Sequence, residues 1–178
     1  MTLNLATLSF QEAIAYTQDW LEQIATNEIE TAQILSDLKT LLSHRNGVRG
    51  FFVAYLTGEN VLADKPPTVF IEAFQATAEN IKEILVKNVA MSTAMAIAHG
   101  RNNDAKNQAA SERVTRRSQN ILRLLAATDA KTTFQQEKEA LLSAVKTQTG
   151  EYETFLKRWK YDDEQRAAIK ISLEAIAL

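Results

Sequence analysis

Residues 104–128, DAKNQAASERVTRRSQNILRLLAAT, show the pattern that decides the fold class. At about 100° per residue, their apolar side chains fall on one face of a helix. This apolar face consists of Val114, Ile121, Leu122 and Leu125. Arginines occupy a flank roughly 120° further round the helix axis. The segment is therefore predicted to form an amphipathic helix with one face packed in a core.

The composition of the whole chain favours helices in the same way. The 178 residues include only five Gly and two Pro, and the frequent residue types Ala, Leu, Glu, Gln and Lys are helix formers. A chain of this length buries roughly 70% of its unfolded surface, so a hydrophobic core is expected. No repeat or low-complexity segment is visible. We therefore predict an all-α fold, a single compact helical bundle of six to eight helices, with residues 1–178 forming a single helical domain.

Capping signals and apolar periodicity predict where the helices begin and end. Ser9 and Glu12 have the spacing of a capping box, and Asn27 and Glu30 repeat this signal in a weaker form. Glycine and clustered asparagine residues mark several helix ends. The predicted helices cover about 9–25, 27–44, 45–57, 68–99, 104–128, 132–149, 152–160 and 162–177.

Two of these segments allow more than one interpretation. Residues 45–57 contain glycines and a short apolar run, which suits either a buried helix or a strand. A helix is favoured, because no second strand-like run is available to pair with a strand. The apolar pattern of 68–99 is too long for an average helix. It is expected to bend or break near Lys87 and Asn88.

The charges are unevenly distributed along the chain. Twenty basic and 22 acidic residues give a net charge of −2, so no overall field favours nucleic acid or an anionic membrane. Residues 1–43 carry six acids against Lys39 alone, whereas residues 96–126 carry six bases against two acids. Because these regions attract each other, the asymmetry predicts internal packing or pairing between subunits.

The sequence lacks the motifs of the common catalytic and cofactor sites. The absence of Cys excludes disulfides, thiolate metal sites and cysteine nucleophiles. No Gly-rich phosphate loop, nucleophile elbow or His-Glu-x-x-His motif is present. Di-iron bundles need a Glu three residues before a His, but His44 and His99 lack one. Carboxylates from separate helices could bind magnesium, although a solvated surface is favoured. We therefore expect no metal and no cofactor, and lean towards a protein that is not an enzyme.

The chain shows no signal for export or membrane insertion. Residues 1–10 lack the basic and long apolar regions of a secretory signal, and no apolar run approaches the length of a membrane span. We therefore expect a cytoplasmic protein without a membrane partner.

The arginines of residues 104–128 form the clearest candidate binding surface, which we call the arginine flank. It consists of Arg113, Arg116, Arg117 and Asn120, with Arg123 at its edge. Guanidinium groups present planar donors that suit phosphate and carboxylate. Salt bridges to the acidic first two helices, within the chain or between subunits, are the favoured use. A protein partner, nucleic acid and a phosphorylated small molecule are the alternatives.

A second candidate is a ligand pocket near Met91, Met95 and His99. Flexible Met side chains can adapt to irregular ligands, although close packing is the favoured interpretation. His99 follows an apolar stretch and is expected to end its helix, where a histidine stabilises the free carbonyls. A role as ligand or acid–base catalyst is the alternative. His44 is expected to end its own helix in the same way.

These observations lead to three hypotheses about function. The first is a non-catalytic helical interaction or regulatory protein that acts through its surface on a protein partner or on itself, as a homo-oligomer. The alternative is a nucleic-acid or polyanion binder that uses the arginine flank. The third is a small-ligand-binding protein with a cavity near Met95 and His99.

Overall fold

The computed structural model describes residues 4–178, and this part of the chain is all-α with no strand. It contains nine α-helices and two short 3₁₀ turns, Leu5–Thr7 and Val61–Ala63. The prediction of an all-helical fold is confirmed, and six to eight helices is close to the number observed. The α-helices are α1 Phe10–Ala25, α2 Thr31–Leu41, α3 Arg45–Thr57, α4 Thr68–Ala76, α5 Ala78–Arg101, α6 Ala105–Leu125, α7 Lys131–Thr147, α8 Glu153–Trp159 and α9 Asp163–Glu174.

The packing divides the chain into two compact units. Unit 1 is Met1–Ile84 and unit 2 is Leu85–Leu178, so the boundary falls inside the continuous helix α5. The single domain expected over residues 1–178 stays a prediction. Within residues 4–178, no helix has both the length and the apolar character that crossing a bilayer requires.

Unit 1 is built around a cluster of aromatic rings from α3 and α4. Its five members are each at most 1% exposed, with ring centroids between 5.0 and 6.3 Å apart. Such aromatic contacts add to the free energy gained from burial alone. Residues 45–57 form helix α3, as the sequence favoured over a strand. The cluster consists of Phe51, Phe52, Tyr55, Phe70 and Phe74.

Gly50 on α3 allows helix α1 to pass very close to α3. A Cβ atom at Gly50 would lie 2.5 Å from Ala13 Cβ and 3.0 Å from the backbone of Ile14. Real Cβ atoms do not approach other atoms this closely. The position therefore needs a residue without a side chain because the two helix backbones are nearly in contact.

Unit 2 buries the apolar face predicted for residues 104–128. Ile121, Leu122 and Leu125 of α6 are fully buried, whereas Val114 is only partly buried. Phe134 of α7 and Ile169 and Leu173 of α9 are fully buried in the same unit. The 3.6-residue period of the apolar side chains therefore identified the buried face of α6 correctly.

The predicted capping signal was correct at the start of α1 and wrong at the start of α2. Ser9 forms the predicted capping box with Glu12, and Asp162 forms one with Gln165 at the start of α9. Asn27, by contrast, does not start α2. It adopts a left-handed backbone (φ 59°) just after α1, and α2 begins at Thr31 without a side-chain cap. Asparagine tolerates this conformation, so it serves here in the linker after a helix.

The break expected near Lys87 and Asn88 is also wrong. Helix α5 runs without interruption through both residues, and the interruption lies at Thr77, between α4 and α5. The Lys87 ammonium lies over the rings of Tyr152 and Phe155, 5.3 and 5.0 Å from their centroids. A lysine stem can pack along an apolar surface while its charge contacts ring faces, so a polar pair does not break the helix.

Candidate functional site

The arginine flank lies on α6, as the spacing predicts, but much of it is used within the fold. Arg117 is only 2% exposed, whereas Arg116 and Arg123 are exposed. Arg113, Arg116, Arg117 and Asn120 each already take part in an interaction. Arg123 Nη2 donates to the carbonyl oxygen of Ala175 at 3.4 Å. The binding role predicted for the flank stays a prediction.

Basic side chains of α6 and α7 gather at the C-terminal end of α9. Lys138 Nζ donates to the carbonyl oxygen of Ile176 at 3.0 Å, next to the Arg123 contact. Lys146 Nζ lies 3.0 Å from Glu174 Oε1, and this interaction lowers the pKa of Glu174. The end of a helix carries free carbonyls and the negative pole of its dipole, so cations stabilise it. We call this arrangement the α9 clamp.

The N-terminal end of α9 is held by an arginine from the end of α5. Arg101 Nη1 donates to Asp162 Oδ2 at 2.6 Å, and its other terminal nitrogen bonds to Glu164. The Arg101 side-chain hydrogen bond and the Gln165 backbone N–H lower the pKa of Asp162 to about 2. Asp162 is therefore ionised across the physiological pH range and caps α9 as a carboxylate.

His99 lies at the end of α5, where the sequence predicted it. Its Nδ1 is 3.4 Å from Asp104 Oδ2, and its carbonyl oxygen accepts from the Asp104 backbone N–H at 2.9 Å. Asp104 is the N-cap of α6, so His99 joins the end of one helix to the start of the next. Met95 and Met91 lie one and two turns before it on α5, and Met95 is 38% exposed. A ligand site at these three residues stays a prediction.

The expectation that His44 ends a helix is wrong, because His44 is the N-cap of α3. Its Nδ1 accepts from the Gly47 backbone N–H at 3.3 Å. Its Nε2 lies 2.8 Å from the carbonyl oxygen of Leu5 and is then the donor nitrogen of the ring. Imidazole nitrogen thus replaces the usual hydroxyl or carboxylate at this helix start.

A concave site that the sequence did not single out lies between α1 and α2 in unit 1. This α1–α2 groove has a volume of about 360 Å³. Helix α1 contributes residues at offsets of zero, three, four and seven, which share one helix face, and α2 contributes two residues one turn apart. Its lining consists of Tyr16, Asp19, Trp20, Gln23, Ile29, Gln33 and Asp37.

Asp37 is held in the groove by two neutral donors. The Tyr16 hydroxyl donates to its Oδ2 at 3.4 Å, and Gln33 Nε2 donates to its Oδ1 at 2.6 Å. Burial and the charge of Asp37 raise the pKa of Tyr16, so the phenol stays protonated. Neither donor carries a charge that would neutralise the carboxylate. The groove therefore presents negative charge in a fixed position.

Trp20 is among the residues that line the groove, and its side chain is buried. The side chain is 2% exposed, and its two neighbours stack on it, Tyr16 at 6.2 Å and Phe70 at 5.8 Å between ring centroids. Its indole Nε1 is buried and has no hydrogen-bond partner among residues 4–178. A buried N–H without an acceptor costs about 1–3 kcal/mol, so the position is costly unless something else accepts from it.

The sequence analysis did not single out any of the residues that line this groove. The available signal was the placing of Tyr16, Asp19 and Gln23 on the same helix face as Trp20. An acid and an amide beside a tryptophan indicate that this helix face is only partly apolar. The contribution of α2 had no such signal, because it depends on how the two helices pack.

No group of three or more His, Cys, Asp or Glu side chains that could hold a metal ion occurs in the described part of the chain.

A family model described as "Uncharacterised conserved protein UCP020893" matches residues 9–176. The chain belongs to this family. The matched residues include those of the α1–α2 groove, the arginine flank and the α9 clamp. No curated protein and no solved structure matches the chain.

Proposed function

We propose that this chain is a non-catalytic helical interaction protein that acts through its surface on a protein partner and on copies of itself. The α1–α2 groove is the observation that carries this proposal. It offers aromatic side chains, a fixed carboxylate and exposed polar side chains in a cavity of about 360 Å³. Concave sites with a few placed polar groups on an aromatic base are typical of binding sites.

The chemistry of the groove favours binding over proton transfer. Tyr16 has a raised pKa and is a hydrogen-bond donor at neutral pH rather than a base. The Asp37 carboxylate accepts hydrogen bonds from two neutral side chains, which hold it in place as an acceptor. Groups held in this way suit recognition of a partner group that carries positive charge.

Charge also supports self-association. Residues 1–43 carry six acids against one base, and residues 96–126 carry six bases against two acids. A surface of one sign attracts the opposite surface of a second copy and orients the encounter. We expect this interaction to take place in the cytoplasm.

Sedimentation velocity of the full chain at low and high salt tests the proposal. We expect species larger than the 19.9 kDa monomer at low salt, and we expect them to dissociate as salt screens the charges. A monomer at every concentration and salt would contradict self-association. Turnover of a common metabolite, lost when His99 is replaced, would contradict the non-catalytic assignment.

A heparin column tests polyanion binding in the same preparation. Arg116→Ala removes an exposed member of the arginine flank, and Lys106→Ala removes an exposed base of α6 outside it. We expect both variants to elute with the wild-type protein. If only Arg116→Ala eluted earlier and lowered the salt slope by about one unit, the flank would be a polyanion site instead.

A further inference from the structure

We propose that this chain self-associates head to tail, with the basic and aromatic end of α8 in one copy docked on the acidic α1–α2 groove of a second copy. This inference rests on the proposed function, because it names the two surfaces through which the chain contacts itself. The docking segment, which we call the Trp159 cluster, consists of Lys157, Arg158, Trp159 and Lys160.

Trp159 is exposed at a point where the chain turns. It is the last residue of α8 and is 43% exposed, whereas Leu156 one turn earlier is buried. Tyr161 stacks on its ring with 6.5 Å between centroids and 5° between planes, which holds the ring in one orientation. The backbone turns at Lys160, which adopts a left-handed conformation (φ 50°). Tryptophan is enriched among the residues that anchor protein interfaces by filling a pocket of the partner.

The bases on either side of Trp159 are not neutralised by the acids near them in the chain. Arg158 and Lys160 are exposed and form no ion pair within residues 4–178. Glu151 lies before the start of α8, at the end opposite Trp159. The other nearby acids pair with different bases, Glu153 with Lys157, Asp162 and Glu164 with Arg101, and Asp163 with Arg166. The Trp159 cluster therefore presents positive charge beside an exposed ring.

The helices that form the groove carry the opposite charge. Residues 1–38 contain six acids and no Lys, Arg or His. Five of the acids are exposed, and Asp37 is half-buried in the groove with two neutral hydrogen-bond donors. A surface of one sign attracts a basic surface and orients its approach. The six acids are Glu12, Asp19, Glu22, Glu28, Glu30 and Asp37.

The lining of the groove suits the Trp159 cluster in shape and in hydrogen bonding as well as in charge. Its volume of about 360 Å³ exceeds that of an indole ring, and the half-buried Tyr16 and Ile29 provide apolar surface for the ring. The indole N–H is a donor only, and the lining offers carboxylate and amide oxygens as acceptors. Arg158 and Lys160 then approach the acids of α1 and α2.

A second copy fits the Trp159 cluster better than a membrane or a polyanion does. Helix α8 has seven residues, and among its apolar side chains only Trp159 is exposed, which is too little apolar surface for a helix that lies in a bilayer. A nucleic acid is held by more phosphate contacts than two unpaired bases supply. Every copy carries both complementary surfaces. Because these are different patches, the contact is heterologous.

Charge reversal on each surface tests the contact by sedimentation velocity of the full chain at low salt. Arg158→Glu changes the Trp159 cluster, and Asp19→Lys changes the groove lining. We expect each variant to self-associate at least about tenfold more weakly than the wild type. Lys131→Glu and Glu72→Lys make the same charge changes at exposed positions outside both surfaces, and we expect them to associate like the wild type.

Mixing the two weakened variants separates a lost contact from a damaged fold. The Arg158→Glu chain keeps its groove, and the Asp19→Lys chain keeps its Trp159 cluster, so the mixture contains one intact pair of surfaces. At a concentration where each variant alone is mostly monomeric, we expect the equimolar mixture to associate. A variant that had lost its fold would not recover on mixing.

Fluorescence quenching by acrylamide reports the burial of Trp159 directly. The chain contains only Trp20 and Trp159, and Trp20 is already buried at 2% exposed, so quenching reports mainly on Trp159. We expect quenching to decrease as the wild-type protein associates at low salt. It is expected to stay constant over the same concentrations in Arg158→Glu.

Each outcome bears on the inference. It is overturned if Arg158→Glu and Asp19→Lys associate like the wild type, if their mixture does not recover, or if quenching of Trp159 is unchanged on association. In these cases the chain still self-associates, so the proposed function stands. A chain that is monomeric at every concentration and salt contradicts both. Heparin binding that is weakened by Arg158→Glu but not by Lys131→Glu would make the Trp159 cluster a polyanion site and would also overturn the inference.

Discussion

Asp162 shows how one carboxylate links the ends of two helices and makes a helix start sensitive to acid. It caps α9 through the Gln165 backbone N–H and accepts from Arg101. Both interactions need the ionised form, which is why the pKa of Asp162 is lowered from 3.8 to about 2. A carboxylate with a lowered folded-state pKa contributes stability above its unfolded pKa, and this contribution is lost as pH falls through the folded value.

We therefore expect the first turn of α9 to lose protection between about pH 4 and pH 2. Asp162→Asn is expected to lower this protection already at neutral pH and to remove most of its change with acid. Hydrogen exchange at the Gln165 amide, followed by NMR over this range, measures the effect. Asp163→Asn is the control, since it removes a neighbouring charge without touching the cap. Equal pH profiles for wild type and Asp162→Asn would refute the assignment.

At the scale of elements, the contact between α1 and α3 depends on the absence of one side chain. Gly50→Ala would place a Cβ 2.5 Å from Ala13 Cβ and force two helix backbones apart. We expect it to lower the free energy of unfolding by about 1–3 kcal/mol, as overpacked cores do. Urea denaturation followed by circular dichroism measures this change.

Gly100→Ala is the matched control for that substitution. Gly100 also lies within a helix, but an added Cβ there meets only the end of the Gln108 side chain, 3.0 Å away. That side chain can move, and alanine is the better helix former. We expect this variant to be as stable as the wild type or slightly more stable. If Gly50→Ala behaved in the same way, the close approach of α1 and α3 would be disproved.

The α9 clamp gives a second prediction at this scale. Lys138→Met keeps most of the side-chain volume but removes the ammonium that donates to the Ile176 carbonyl. We expect faster hydrogen exchange at the amides of Ala175 and Ile176, because the chain beyond α9 loses one of its cationic contacts. Lys131→Met removes an exposed lysine at the start of the same helix and should leave those amides unchanged. Exchange that is the same in both variants would show that the clamp does not hold this end.

The cooperativity of unfolding is a property of the whole molecule, because it depends on whether the two units unfold together. Their boundary lies inside α5, a helix that continues through it without interruption. A helix that melts on one side of this point loses hydrogen bonds on the other side. We therefore expect one cooperative transition, in agreement with the single domain predicted from the sequence.

Trp20 lies in unit 1 and Trp159 in unit 2, so the chain carries one reporter in each. Following both indole signals through a urea titration gives two unfolding curves from one sample. Coincident midpoints and slopes are expected for a two-state protein. Two separate midpoints would show that the units are independent domains.

The family match covers nearly the whole chain, from residue 9 to residue 176. The match therefore includes residues of both units. At this scale, the proposed interaction function combines a groove in unit 1 with basic surface in unit 2.

The amino-acid order by itself determined the helical class, most helix bounds and the buried face of α6. These features depend on side-chain period and on caps made within a few residues, such as Ser9 with Glu12. Local patterns also misled, since Asn27 and the polar pair at Lys87 and Asn88 suit more than one backbone state. The break at Thr77 had no distinct signal, because one threonine is compatible with either a helix or its interruption.

Only the tertiary structure decided which polar groups work together. Trp20 of α1 and Asp37 of α2 line the same groove. Lys138 of α7 donates a hydrogen bond to the Ile176 carbonyl just beyond α9. The same is true of Arg117, whose place in the sequence suggested a surface but whose side chain is 2% exposed. Periodicity shows which side of a helix is buried, but not which neighbour covers it. Contacts between distant residues depend on the packing of whole helices, and no short stretch of sequence specifies that packing.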